Sequence, residues 1–462
     1  MKNTTMTTPR NAALPPGSKR HWLLGNGLGQ LKDPLGQLIQ GRQKHGDIVY
    51  FQLHHGPSWL LSHPDHVQQV LADNVGNYLY MVGDAPDPLL GRGLFASTGD
   101  FWRRQRRMVQ PSFHRARLAR MVEGMVRDVQ QLAERWTPQA GTGEPMELLA
   151  QMRRLTITML GTSIFSEDVY ESRDPLRAGM DQLGKMMHGP PISIFRALAG
   201  LLGLNGSQTR LFFGAIEQLN TAMYGLIAER RQSPSGKDDM MAMLMEAQDT
   251  QGVAMTDTEL RDELVNLYVG GYESTAVALT WILYEVMRHP EAEQRLRSEL
   301  ATVLGGRPLT AESLQSLHYA RAVVEETLRL HPPAWNIVRR AVGEDQLGGY
   351  TVAPDTKMLI PPYILHRHPE FWPEPERYLP ERFLPEQKER QHRYAYMPFG
   401  AGQRQCVGHG YTLTLLTITL VTLLQRYQLR LEPKHRVVAI AASTHRPVKG
   451  VLATLHSAPQ AA

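Results

Sequence analysis

Cys406 is the only cysteine in the 462-residue chain. It lies in Phe399-Gly400-Ala401-Gly402-Gln403-Arg404-Gln405-Cys406-Val407-Gly408. One thiol cannot close an internal disulfide, and it cannot supply a zinc or iron–sulfur site that needs several cysteines. A single thiolate is enough to ligate a haem iron. The glycines around it allow tight turns and close approach to a planar group, and Arg404 is near enough to reach an anionic substituent of that group. The apolar run 411–424 reads as a buried helix. Cys406 therefore precedes a helix N-terminus, where backbone N–H groups and the helix dipole favour thiolate over thiol.

A second group of reactive side chains sits in Gly270-Gly271-Tyr272-Glu273-Ser274-Thr275. The segment falls inside a helical pattern that opens on a capping box, Thr256-Asp257-Thr258-Glu259, and stops at His289-Pro290. That pattern predicts about 30 residues, or roughly 45 Å of helix. Each interior glycine weakens it by about 1 kcal/mol relative to alanine. Either another helix packs closely there, or the space serves a planar group and bound oxygen, with Glu273 and the neighbouring hydroxyls as a proton relay. Glu326 and Arg329 are neighbours at i and i+3. Glu285/Arg288 and Glu374/Arg377 share that spacing, so spacing alone means a surface ion pair. Trp102 and Arg106 lie one helical turn apart in a basic amphipathic segment.

These residues need a large scaffold. Apolar residues make up 42% of the chain and charged residues 21%, with no internal repeat or low-complexity linker, which predicts one large domain over 19–456. Residues 1–18 read as a flexible lead without the apolar core of a signal peptide, and 457–462 as a tail. Helical periodicity dominates from 102 to 330, and strands are expected at 48–53, 59–61, 350–352, 357–360 and 427–431. The expected class is mainly α with a smaller β portion. No run approaches the roughly 20 apolar residues of a membrane anchor; the nearest, 192–204 and 411–424, are short. The net charge of +5 permits an acidic partner, but zinc-finger and RNA-binding motifs are lacking, so nucleic acid is not expected.

The cysteine segment resembles the haem-binding loop of the cytochrome P450 family, Phe-x-x-Gly-x-Arg-x-Cys-x-Gly, at Phe399, Gly402, Arg404, Cys406 and Gly408. Thr412 and Leu415 depart from the usual Ala and Glu that follow. Gly270 to Thr275 is similar to the family's oxygen-activation motif, with Ser274 where a threonine is usual. Gly91-Arg92-Gly93-Leu94-Phe95 before Trp102, Gln110-Pro111-Ser112-Phe113 after Arg106, Leu330-His331-Pro332-Pro333 after Arg329, and Pro380-Glu381-Arg382-Phe383 follow in the family's order.

The resemblance implies the P450 fold, with haem b between a long central helix and the cysteine loop. Cys406 would be the iron ligand, with Phe399 and Gly408 in its loop. Trp102, Arg106, Arg404 and Arg339 would hold the haem propionates, with Arg340 able to exchange roles with Arg339. Glu273, Ser274 and Thr275 would be catalytic, and Glu326, Arg329 and Arg382 a buried structural network. The implied reaction inserts one atom of O2 into a C–H bond or double bond of a hydrophobic small molecule. Electrons would come from a ferredoxin or flavodoxin with its NAD(P)H-dependent reductase, docked on outward-facing Arg103, Arg104 and Arg107. Without an anchor the resemblance is to soluble, bacterial-type members, which implies a cytoplasmic enzyme. Substrate is expected against 80–90, 186–204, Leu267, Tyr268, 334–338 and 443–445. Their apolar character suggests a terpenoid, fatty acid or polyketide, a terpenoid first. A peroxide-driven or non-oxygenating haem enzyme, and a non-catalytic haem sensor or carrier, are the other readings.

Overall fold

The computed structural model describes residues 14–17, 33–53, 56–80, 87–168, 207–232 and 236–458. Its main helices are α1 (Pro34–His45), α2 (Gly99–Val109), α3 (Arg115–Trp136), α4 (Leu148–Phe165), α5 (Ser207–Gln232), α6 (Asp257–Arg288), α7 (Pro290–Leu304), α8 (His318–Leu330) and α9 (His409–Arg426). The strands are β1 (Ile48–Leu53), β2 (Gly56–Leu61), β3 (Tyr78–Tyr80), β4 (Met146–Glu147), β5 (Ile337–Ala341), β6 (Asp345–Leu347), β7 (Tyr350–Val352), β8 (Lys357–Ile360), β9 (Tyr427–Leu431), β10 (Ala439–Ala441), β11 (His445–Pro447) and β12 (Leu452–Ser457). The chain divides into two compact units, one drawn from 1–81, 328–379 and 385–406, the other from 82–327, 380–384 and 407–462.

The first unit is built on a five-stranded sheet in the order β1-β2-β8-β5-β3, antiparallel except where β2 runs parallel to β8. Trp59 and Leu61 of β2, Tyr78 of β3 and Met358 and Ile360 of β8 share a core with Val67, Val70, Leu365 and Met397. Between β6 and β7 the chain turns on Gly348 and Gly349, with φ of 56° and 83°. Consecutive positive φ angles suit a tight hairpin and favour glycine.

The second unit is mainly helical. α6 runs 32 residues, about 48 Å. Thr256 and Glu259 form the expected capping box, and the helix stops at Arg288 with His289 as its C-cap. Along α3, Val122, Met125, Val126, Val129, Leu132, Ala133 and Trp136 form one buried stripe at helical spacing. The threonine-rich α9 is a buried core helix, as its composition indicated. The hydroxyls of Thr417 and Thr419 are satisfied by donating to the carbonyls of Leu413 and Leu415, at 2.8 and 2.9 Å. β4, β12 and β9 complete a three-stranded sheet. Among the described residues no helix is long and apolar enough to cross a membrane.

Candidate active site

In the first unit the cysteine loop is folded by its glycines. Gly400 and Gly402 have φ of 71° and 70°, and a Cβ on Gly402 would lie 2.1 Å from the carbonyl oxygen of Leu71. No other residue fits there. A short turn over Gly402–Arg404 follows, and the Cys406 N–H closes the loop on the Phe399 carbonyl at 2.9 Å. The thiol is exposed, which is unusual for a cysteine kept only as a small apolar residue. α9 begins at His409, with Gly408 as its N-cap.

The approach to this loop is pinned by two groups that are both fully buried. Arg329 donates to the carbonyls of His366, Pro375 and Arg377 at 2.9, 2.7 and 3.1 Å, and its guanidinium lies 5.2 Å from the Trp372 ring. His366 Nδ1 donates to the Arg329 carbonyl at 3.1 Å, and Nε2 accepts the Met397 N–H at 2.9 Å. Burial pushes the imidazole down to about 3, so it stands neutral between two backbone groups.

Arg339, on β5, is 5% exposed. It donates to the Val338 carbonyl at 2.9 Å and stands 5.3 Å from the Tyr80 ring. No carboxylate among the described residues pairs with it. Burial lowers its pKa, and a dry guanidinium set against a carbonyl and a phenol ring, with no carboxylate partner among the described residues, fits an external anion. Arg404 lies over the same ring at 5.2 Å. Arg340 does not exchange roles with Arg339: it is more exposed and pairs with Asp355 at 2.6 Å.

In the second unit α6 is buried over most of its length, but along its middle Val269 is partly exposed, as are Leu267, Gly270, Gly271 and Ser274. The spacing of these last four, i, i+3, i+4 and i+7, describes one helical face. The two explanations for the glycines divide between them. A Cβ on Gly271 would meet Leu160 Cδ2 of α4 at 3.0 Å, whereas one on Gly270 meets nothing within 4 Å. Ser274 Oγ donates to the Gly270 carbonyl at 2.9 Å, which leaves its lone pairs for a donor on the accessible face.

The structure gives several of the other expected residues particular surroundings. Thr275 is 4% exposed and lies on the packed side of α6, so Ser274 alone presents a hydroxyl to the accessible face. Tyr268 is fully buried, its ring 6.4 Å from Phe165, and does not share Leu267's accessible position. Glu273 is not a free relay carboxylate: it is 4% exposed and held by Arg153 of α4 through bonds of 3.0 and 2.8 Å. The charge of Arg446 on β11 acts on it as well. Arg104 does not face outward for docking. It bonds Asp249 at 2.6 Å and Glu259 at 2.7 Å, because α2 packs beside the first turn of α6. Arg103 and Arg107 are exposed, and Arg103 pairs with Asp100.

Trp102 is 7% exposed, and Arg106, one turn along α2, bonds Gln110 at 3.2 Å. Glu326 is fully buried, with Arg382 Nε 3.5 Å from its Oε1. Of the expected substrate segments, 186–204 and 81–86 lie outside the described residues. His445 is buried and stacked on Trp281, whose indole N–H donates to its carbonyl at 2.9 Å. Sequence reasoning missed Arg153 and His366, and took Tyr80 as the edge of a substrate segment, not as the ring beneath Arg339 and Arg404. A charged pair, Arg153-Arg154, inside an otherwise uncharged helix was the available signal for the first.

The cytochrome P450 family model matches residues 15–452. Cyclooctatin synthase from Streptomyces melanosporofaciens is 34% identical over 90% of this chain and 92% of its own length. Cyclooctat-9-en-7-ol 5-monooxygenase from the same organism is 32% identical over 94% and 95%. Pentalenene oxygenase from Streptomyces avermitilis is 27% identical over 91% and 92%. The crystal structure of the cytochrome P450DA haem domain superposes with a TM-score of 0.86, covering 97% of this chain and 99% of that one at 22% identity, which speaks to the fold alone. With its cysteine loop, its interrupted long helix and a family match along nearly all its length, the chain belongs to the cytochrome P450 family of haem-dependent monooxygenases.

Proposed function

We propose that this P450 monooxygenase hydroxylates or epoxidises a terpenoid or similar lipid-like metabolite. The observation that carries the reading is the accessible face of α6, where Leu267, Gly270, Gly271 and Ser274 open the middle of a largely buried helix. The activities for which the three Streptomyces relatives are named support a terpenoid over a fatty acid or polyketide.

Haem b, when bound through a thiolate, supplies the reductive activation of O2 and the transfer of one oxygen atom to carbon. Cys406 provides that thiolate from its exposed position, and the Phe399 carbonyl holds the loop closed behind it. Arg339, Arg404, Trp102 and Arg106 provide donors for the two propionates. Arg339 is the strongest of these, because its buried charge otherwise lacks a carboxylate. Ser274, its own proton committed to Gly270, accepts a hydrogen bond from water and orients it. Glu273, held as a carboxylate by Arg153, would have to leave that pair and take up a proton from solvent before it could pass one toward that water. Glu326, Arg329 and Arg382 are structural. Electrons arrive from a ferredoxin or flavodoxin and its NAD(P)H-dependent reductase, in a cytoplasmic setting.

Titrating the haem-loaded protein with cyclic terpenes, fatty acids and macrolides, and following the haem spin state, tests the substrate class. Cyclic terpenes should give the largest low-to-high-spin shift. A response confined to fatty acids or macrolides would overturn the terpenoid reading, and turnover with hydrogen peroxide but with no reductase chain would overturn the electron source.

A further inference from the structure

One polar cluster on α6 is used by none of these steps. Asp262, Glu263 and Asn266 lie within a single turn, 6%, 0% and 7% exposed, and all three read the backbone of residues 90–95. Asp262 Oδ2 accepts the Arg92 N–H at 2.8 Å, Glu263 Oε2 accepts the Leu94 N–H at 3.2 Å, and Asn266 Oδ1 accepts the Phe95 N–H at 2.8 Å. Asn266 Nδ2 returns a bond to the Leu90 carbonyl at 2.8 Å.

The loop is shaped to sit on these side chains. A Cβ on Gly91 would lie 2.1 Å from the Asp262 carboxylate, and one on Gly93 would lie 2.2 Å from the Asn266 amide. Within the loop, Asp87 caps the N–H groups of Leu89 and Leu90, and Ser97 donates to the Gly93 carbonyl. Asn266 precedes Gly270 by four residues, so it lies one turn below the accessible face on the same side of α6. The loop it holds carries Phe95, which is 60% exposed.

We propose that Asp262, Glu263 and Asn266 are positioning residues: they fix the backbone of 90–95 at one end of the accessible α6 face, and so set how tightly a bulky hydrophobic ligand is held there. The ligand half of this statement rests on the proposed function, whereas the loop half stands on hydrogen bonds alone.

The three anchors differ in charge. Asp262 is paired with Arg261 at 2.8 Å, but Glu263 Oε1 is buried without a partner. Burial, with Asp262 and Glu259 nearby on the same helix, pushes Glu263 up to about 8. The neighbouring cations are committed elsewhere, Arg261 to Asp262 and Asn220, and Arg104 to Glu259 and Asp249. From the loop, the uncharged Leu94 N–H faces Glu263. The Leu94 N–H favours the carboxylate, but burial and the two neighbouring carboxylates outweigh it, so the loop is held more firmly with the proton on Glu263 than without it.

The test measures amide hydrogen exchange in the haem-loaded protein, expressed as protection factors from pH 6.5 to 9, for wild type, Glu263→Gln and Asn266→Ala. The amides of Arg92, Leu94 and Phe95 should be protected at neutral pH. At pH 9, one unit above the Glu263 pKa, they should lose about tenfold of that protection in wild type and none in Glu263→Gln. In Asn266→Ala the Phe95 amide should be open at every pH. Soret titrations of the same proteins should find 4-phenylimidazole bound about tenfold more weakly to Asn266→Ala, and imidazole unchanged. Unprotected amides in wild type at pH 7, or the same alkaline loss in Glu263→Gln, would overturn the latch. Protected amides with 4-phenylimidazole unaffected would overturn its role toward ligands. Failure of imidazole to shift the Soret band in wild type would instead strike the haem reading itself.

Discussion

Acid should unfasten the cysteine loop through His366. In the native chain this imidazole is neutral, with Nδ1–H on the Arg329 carbonyl and Nε2 on the Met397 N–H. A second proton would face the Met397 N–H donor and place a charge in a fully buried site near Arg329 and Arg367. The native pKa is therefore pushed to about 3, below the value of about 6.5 for an unfolded histidine. Because the native pKa is depressed, the unfolded chain takes up the proton first. The stability this residue contributes is present above pH 6.5 and declines as pH falls from 6.5 toward 3. Each unit is worth about 1.4 kcal/mol, so about 2 kcal/mol is lost by pH 5. Glutamine at 366 keeps an acceptor for Met397 but has no proton to gain. Urea unfolding of haem-loaded wild type and His366→Gln at pH 7.5 and pH 5.0 isolates the effect, since all other histidines cancel. Wild type should be the more stable at pH 7.5, and its advantage should shrink by about 2 kcal/mol at pH 5.0. An advantage equal at both pH values would refute the assignment of a neutral, doubly bonded His366.

Three further outcomes follow from buried charge and open space. Arg339→Leu should leave the haem-free protein as stable as wild type or more so, because it removes a dry guanidinium without a carboxylate partner, yet weaken haem retention; a loss in both would contradict the anion-site reading. Arg153→Leu should destabilise by about 3–5 kcal/mol by stranding Glu273, and adding Glu273→Gln should restore most of it. Strictly additive losses in that double-mutant cycle would mean that the pair is not coupled. Gly270→Ala should gain about 1 kcal/mol in urea unfolding from helix propensity, whereas Gly271→Ala should gain less because its methyl meets Leu160; equal gains would argue against the difference in space.

What could be read from the chain alone was local. The capping box Thr256/Glu259 and the stop at His289-Pro290 are sequence neighbours, and α6 starts and ends where they indicate. β1, β7, β8 and β9 alternate or run apolar, and their bounds matched, while β2 begins earlier, at Gly56. β3 and β5 were not legible. Three residues are too few for a periodic signal in β3, and Arg339 and Arg340 interrupt β5. Partners far apart in sequence were equally hidden: the carboxylate of Glu273 meets Arg153 from 120 residues away, and Arg104 meets Asp249 and Glu259. The reactive residue types were therefore visible, but which side chains are committed to ion pairs was decided by helix packing. Thr275 shows the same limit, since Ser274 and Thr275 differ by one helical step of about 100°, and only packing says which of them is covered.

The central claim is that Cys406 ligates haem iron as a thiolate. The most direct measurement is the absorption spectrum of the reduced, carbon monoxide-bound protein, wild type beside Cys406→Ser. Wild type should give the red-shifted Soret band of a thiolate-ligated haem, and the serine variant should lose that band even where haem is retained. The same thiolate band in both proteins would contradict the assignment of Cys406 as the ligand.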